Sequence, residues 1–202
     1  PSRVERMKVM ILNDTGFSAR GGTETYCNIL NVINAKLGNK TVKVYLGREY
    51  NDDPEAIALD GVNVPVMRVF YDKILEKGLI KLCSDFEVDL IHANILNARY
   101  PLILSNMSSK LKLPLVLTVH RWAYICPSGY NVVFPELLPC DKPSLNLCVK
   151  CVTSKAKFMH IPVMSSVGRA LHRVYAFKSL MRKANFVISP SRIFTTELYD
   201  RF

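Results

Sequence analysis

The chain has 202 residues, 49% hydrophobic and 22% charged, with nine Gly and eleven Pro. That balance excludes a disordered chain and a collagen-like fibre, and the length suits one domain or a tight pair of small ones. Its net charge of +10 is uneven: the ten Lys and Arg between Lys142 and Thr196 face no Asp or Glu, and the remainder is balanced at seventeen of each.

In chain order, Lys8–Leu12 reads as a short buried strand that ends in the polar turn Asn13-Asp14-Thr15-Gly16. Glu24–Leu37 places Tyr26, Ile29, Leu30, Ile33 and Leu37 at helical spacing, with Thr23 as N-cap and Gly38 as closing glycine. A strand over Val42–Leu46, a loop over Asn51–Pro54 and a strand over Val62–Val69 follow, the last with Pro65 at an edge or bulge. Tyr71–Phe86 is a helix, Val88–His92 a strand, Ala98–Lys110 a helix and Leu115–His120 a buried strand. Arg121–His160 is a Cys- and Pro-rich insertion. Ser165–Ala184 is a basic amphipathic helix with Val167, Leu171, Val174, Phe177, Leu180 and Met181 on its apolar face. Phe186–Ser189 is a strand and Ile193–Tyr199 a final helix.

This alternation predicts an α/β fold, a Rossmann-like open parallel sheet with helices on both faces. Ligands of such sheets bind at the carboxyl ends of the strands. No apolar run approaches the roughly 18 residues that span a bilayer. No leader-like segment opens the chain, so a cytoplasmic location is expected.

The first strand-to-helix turn lacks both the Gly-x-Gly-x-x-Gly fingerprint and the Gly-Lys-Ser/Thr ending of a P-loop. Gly21-Gly22 still allows close approach of a phosphate to a helix start, or serves only as a flexible lead into the helix. His92, Asn94 and His120 fall at strand ends, where a crevice belongs. Cys126, Cys140, Cys148 and Cys151 lie within 26 residues, and Cys148-Val-Lys-Cys151 has zinc-knuckle spacing. Structural zinc, disulfides and free thiols are all open for this group, whereas Cys27 and Cys83 read as small core residues.

Four segments in order carry a family resemblance. Gly21-Gly22-Thr23-Glu24-Thr25-Tyr26, Asp89-Leu90-Ile91-His92-Ala93-Asn94, Leu113-Pro114-Leu115-Val116-Leu117-Thr118-Val119-His120 and Ala184-Asn185-Phe186-Val187-Ile188-Ser189-Pro190-Ser191 resemble segments of the retaining GT-B glycosyltransferases of family 4 type. The resemblance implies that residues 1–202 are the N-terminal, acceptor-side domain of a two-domain enzyme, with 121–160 inserted. No Glu has another Glu eight positions on, so the family's donor motif is missing, and a C-terminal nucleotide-binding domain is expected as partner.

By resemblance, His120 is the catalytic-site residue that positions the donor sugar. The Gly21-Gly22 backbone meets the diphosphate of a nucleotide-sugar donor. His92, Asn94 and Arg121 are candidates for the acceptor, which is a sugar, a polysaccharide or a lipid-linked molecule. Where Arg121 stands the family often has Asp or Gly. No catalytic metal is implied, and the fragment alone is expected to be inactive. The cations of the Ser165–Ala184 helix suggest peripheral contact with anionic lipid at the inner face of the membrane. A nucleic-acid-binding module with a metal-stapled loop is the alternative, weakened by the lack of a stacking platform beyond Trp122 and Tyr124.

Overall fold

The computed structural model describes residues 6–14, 16–18, 21–45, 53–59, 73–94, 100–141, 143–192 and 195–196. The expected strand over 62–69 and most of the expected helix over 193–199 lie outside them.

A six-stranded sheet forms the centre: β1 (Lys8–Asn13), β2 (Lys40–Tyr45), β3 (Ile57–Ala58), β4 (Leu90–Asn94), β5 (Leu115–Thr118) and β8 (Phe186–Ile188). Its order is β3-β2-β1-β4-β5-β8, and every pairing is parallel. Around it run α1 (Gly22–Lys36), α2 (Lys73–Asp85), α3 (Tyr100–Leu111), α4 (Leu145–Phe158) and α5 (Val163–Lys183). A two-stranded hairpin, β6 (Val132–Val133) with β7 (Leu138–Pro139), completes the described elements. The expected α/β sheet with helices on both faces is therefore the fold. Among the described residues no helix is long and apolar enough to cross a membrane.

Alternation along β1 splits the core in two. Met10 and Leu12 join Ile91, Leu117, Leu79, Leu104 and Phe177 on the face covered by α2, α3 and α5. Val9 and Ile11 point the other way, onto Phe17 and Cys27 under α1. This is the period-two pattern of a strand buried on both sides. His92 and Asn94 alternate with Ile91 and Ala93 on β4, which sends them to the α1 side.

Two local expectations need correction. The N-cap of α1 is Gly21, not Thr23, because the helix begins two residues earlier, at Gly22. Gly38 does follow the end of α1 in the left-handed region, at φ +78°, where a glycine carries no Cβ penalty. The insertion is more ordered than its Cys and Pro content suggested. It holds a 3₁₀ turn (Trp122–Tyr124), the β6–β7 hairpin and all of α4, which is capped by Ser144 accepting from the Leu147 N–H.

The insertion is tied to the core through α5. Tyr124 is wholly buried and meets Phe177 edge to face, with ring centroids 4.1 Å apart. Arg173 donates to the carbonyls of Ala123 (3.0 Å), Cys126 (3.2 Å) and Pro127 (2.9 Å). The buried stripe of α5 is Ala170, Ala176, Phe177, Leu180 and Met181. Leu171 and Val174, expected on the apolar face, instead line an open cleft of about 510 Å³ against the insertion. Phe177→Ala should destabilise the fold by about 3–5 kcal/mol, measured by urea unfolding. A loss below about 1 kcal/mol contradicts this packing.

Candidate functional site

The carboxyl ends of the three central strands are polar where the rest of each strand is apolar. β1 ends at Asn13, β4 carries His92 and ends at Asn94, and β5 ends at Thr118 two residues before His120. Asn13, His92, Asn94 and Thr118 are all buried. Buried polar groups persist only where they are hydrogen-bonded or serve a ligand.

Most of these groups are linked. His92 Nε2 lies 2.8 Å from Thr118 Oγ1, which lies 3.2 Å from the Tyr26 hydroxyl. His120 Nε2 lies 3.2 Å from Asn94 Oδ1. The Tyr26 ring meets both imidazoles edge to face, at 5.1 Å from His120 and 6.2 Å from His92. Tyr26 sits one turn into α1, four residues after Gly22. The diglycine bend and the imidazole pair therefore share one side of the sheet. Sequence reasoning missed Tyr26, since its spacing matched the apolar face of the helix. Its hydroxyl, beside two strand-end histidines in a parallel sheet, was the available signal.

Asn94 is fully buried, yet its Nδ2 has no acceptor among the described residues. Such a donor costs about 1–3 kcal/mol unless something bonds it. Gly21 and Gly22 show a related feature. Gly21 is extended, at φ −157° and ψ −179°, a conformation open to any residue. A Cβ on Gly22 would meet nothing within 4 Å, and one on Gly21 would meet the carboxylate tip of Glu24 at 2.8 Å. Backbone conformation does not demand glycine at either position. At Gly22 the missing side chain leaves open space at the start of a fifteen-residue helix with no side-chain cap.

Burial shifts both imidazoles toward the neutral form. Burial, and then the neighbouring His120, push His92 down to about 4. Burial, and then Arg121, lower His120, while Glu24 opposes them. A neutral ring offers one N–H donor and one bare nitrogen, so it can orient a hydroxyl in either sense. The backbone N–H of His120 bonds the Tyr124 hydroxyl. The same residue that anchors the insertion thus fixes the main chain at His120. Arg121 is exposed next door, and its charge reaches both His120 and Tyr124.

The four clustered cysteines form a separate group. Cys126, Cys140, Cys148 and Cys151 are joined by no disulfide among the described residues, and all line one small cavity within the insertion. Among the described residues no three Cys, His, Asp or Glu side chains already converge as the ligands of one ion would. Cys27 and Cys83 are buried apart from them, as expected of core residues, and burial pushes their thiols up to about 12 and about 11. No protein-family model matches this chain, and no curated protein matches it.

The depressed His92 sets a pH dependence. Above about 6.5, its unfolded value, His92 is neutral in both states and its contribution to stability is fully present. As pH falls from 6.5 to about 4, the unfolded chain takes up a proton that the folded chain refuses, and that contribution is lost. The slope from this residue should approach about 1.4 kcal/mol per pH unit. Denaturant unfolding of the wild type and of His92→Gln across this window should show a steeper fall in the wild type. Parallel curves contradict the assignment.

Proposed function

We propose that this chain is the acceptor-side half of a retaining glycosyltransferase, which moves a sugar from a nucleotide-activated donor to an acceptor hydroxyl. The observation that carries the reading is the meeting of Tyr26, His92, Thr118 and His120 in one cluster at the strand ends, beside the start of α1. The four segments that resemble the GT-B family supply much of that cluster.

Each residue then has a role suited to its chemistry. His120, half-buried and neutral, orients the donor sugar near its reacting carbon. The Gly21-Gly22 backbone and the positive end of α1 receive the diphosphate as charge builds on the leaving group. His92 stiffens the floor through Thr118, and Asn94 brings its unpartnered Nδ2 to an acceptor oxygen. Arg121 stands at the rim for an acidic group on either substrate. The bond from the sugar carbon to the phosphate oxygen breaks and one to the acceptor oxygen forms. The acceptor proton passes to the departing phosphate, so the step needs no protein nucleophile. Asp14 and Glu24, the nearest acidic residues, belong to the turn and the first helical turn and are not assigned the proton.

A nucleotide-binding second lobe is required to hold the rest of the donor. The reading places the enzyme in the cytoplasm, in peripheral contact with anionic lipid. The corner between α4 and α5 supports that contact. Phe158 is 71% and Met164 86% exposed, with Met159 and Ile161 also open to solvent and Lys157 and Arg169 alongside. Apolar side chains ringed by cations suit the boundary of an acidic bilayer.

Gly22→Ala separates a substrate role from a folding role. With free space for the methyl group and better helix propensity, it should leave stability unchanged or raise it by up to about 1 kcal/mol. In the two-lobed enzyme it should nonetheless cut donor turnover at least tenfold, as should His120→Ala with folding intact. Near-normal rates in both variants reject the site. The chain should also sediment with vesicles of one-third anionic phospholipid at low salt and be released at high salt. Phe158→Asp combined with Met164→Asp should abolish that sedimentation. A failure to bind acidic vesicles removes the membrane contact, and a gel shift at physiological salt assigns the basic surface to nucleic acid instead.

A further inference from the structure

We propose that Cys126, Cys140, Cys148 and Cys151 are the four ligands of a structural zinc ion that staples the pieces of the insertion together. The thiols come from three separate pieces of chain: the turn after the 3₁₀ segment, the residue after β7, and two positions one turn apart on α4. All four line one cavity of about 10 Å³, walled on its other sides by Val132, Val133 and Leu147. That space holds one small body and is lined by sulfur and hydrocarbon. Cys148 and Cys151, three residues apart on a helix, lie on one helical face.

The surroundings of the sulfurs are built for thiolates. Cys126 Sγ lies 3.2 Å from Ser128 Oγ. Cys151 Sγ accepts from the Phe134 N–H at 3.3 Å. Hydrogen bonds directed at ligand sulfurs are the outer support a thiolate site needs. Tetrahedral zinc with four thiolates carries a charge of −2, and two cations stand beside it. Lys155 Nζ donates to the Ser128 carbonyl at 2.7 Å, and Arg173 to those of Cys126 and Pro127. Cys27 and Cys83 have no such surroundings.

The side chains do not yet converge on one point, so loading requires turns about χ1, the single torsion that aims each sulfur. The Cys151 thiol now lies 3.4 Å from the Val132 carbonyl as a donor. Zinc takes the place of that proton. Four Zn–S bonds form, four thiol protons pass to solvent, and no electron moves. Stapling fits the need of the segment, since a hairpin of two-residue strands has little stability of its own.

The site is independent of the sugar-transfer reading and is tested without any assay of activity. The purified chain should contain one zinc per molecule. Cobalt should replace it with the intense sulfur-to-cobalt charge-transfer and tetrahedral d–d bands of a tetrathiolate site. In denaturant with chelator, all six cysteines should react as free thiols. In the native chain, chelator should expose four that were protected before. Serine at any one of the four ligand positions should weaken the charge-transfer band, whereas Cys27→Ala and Cys83→Ala should leave it intact. Wild-type metal content and thiol count decide the matter even if a variant fails to fold. Fewer than six thiols after chelation means disulfides and overturns the proposal. Six thiols with less than about 0.2 equivalents of zinc after growth in zinc-supplemented medium overturns it equally.

Discussion

The guanidinium of Arg173 is the joint on which the described molecule depends. It donates to three carbonyls, of Ala123, Cys126 and Pro127, in the segment that follows β5. One turn further along α5, Phe177 receives Tyr124, whose hydroxyl meets the His120 backbone N–H. The strand end, the 3₁₀ turn and the insertion are thereby referred to a single helix. These contacts add to the Asn94 bond and the Tyr26 ring that already hold His120.

The crevice shows what such anchoring makes affordable. Three parallel strands end in polar side chains that are buried, an arrangement that costs free energy unless each group is bonded. Tyr26, Thr118 and His92 bond one another, and His120 reaches Asn94. Burial favours the uncharged imidazole, so two histidines tolerate each other across one aromatic ring. A charged pair there would repel. Neutrality is thus a condition of the geometry as well as of the proposed chemistry.

The sheet was legible because its strands are short apolar runs whose ends carry polar residues. Lys8–Leu12, Val88–His92 and Leu115–His120 could hardly be placed elsewhere, and they position His92 and His120 correctly at a common edge. Tyr26 was not legible, because helical spacing alone cannot tell a core aromatic from one that serves a site. Thr23 misled because cap preference favours a hydroxyl, while the chain starts its helix at the extended Gly21. Helix α4 was hidden by composition. Cysteines and prolines suggested irregular backbone, yet Ser144 supplies a cap and Cys151, Val152 and Ala156 face inward. Leu171 and Val174 fit the apolar stripe of α5 by period but lie beside the insertion, since the direction of a helix face depends on which neighbours arrive.

The uneven distribution of cations has a mechanical outcome. A body with ten positive side chains and no carboxylate over residues 142–196, and electrical balance elsewhere, carries a permanent dipole. Near any negatively charged surface it experiences a torque before it experiences contact. The proposed contact with anionic lipid would then begin at the cation-rich stretch, and arrival and alignment would become one event.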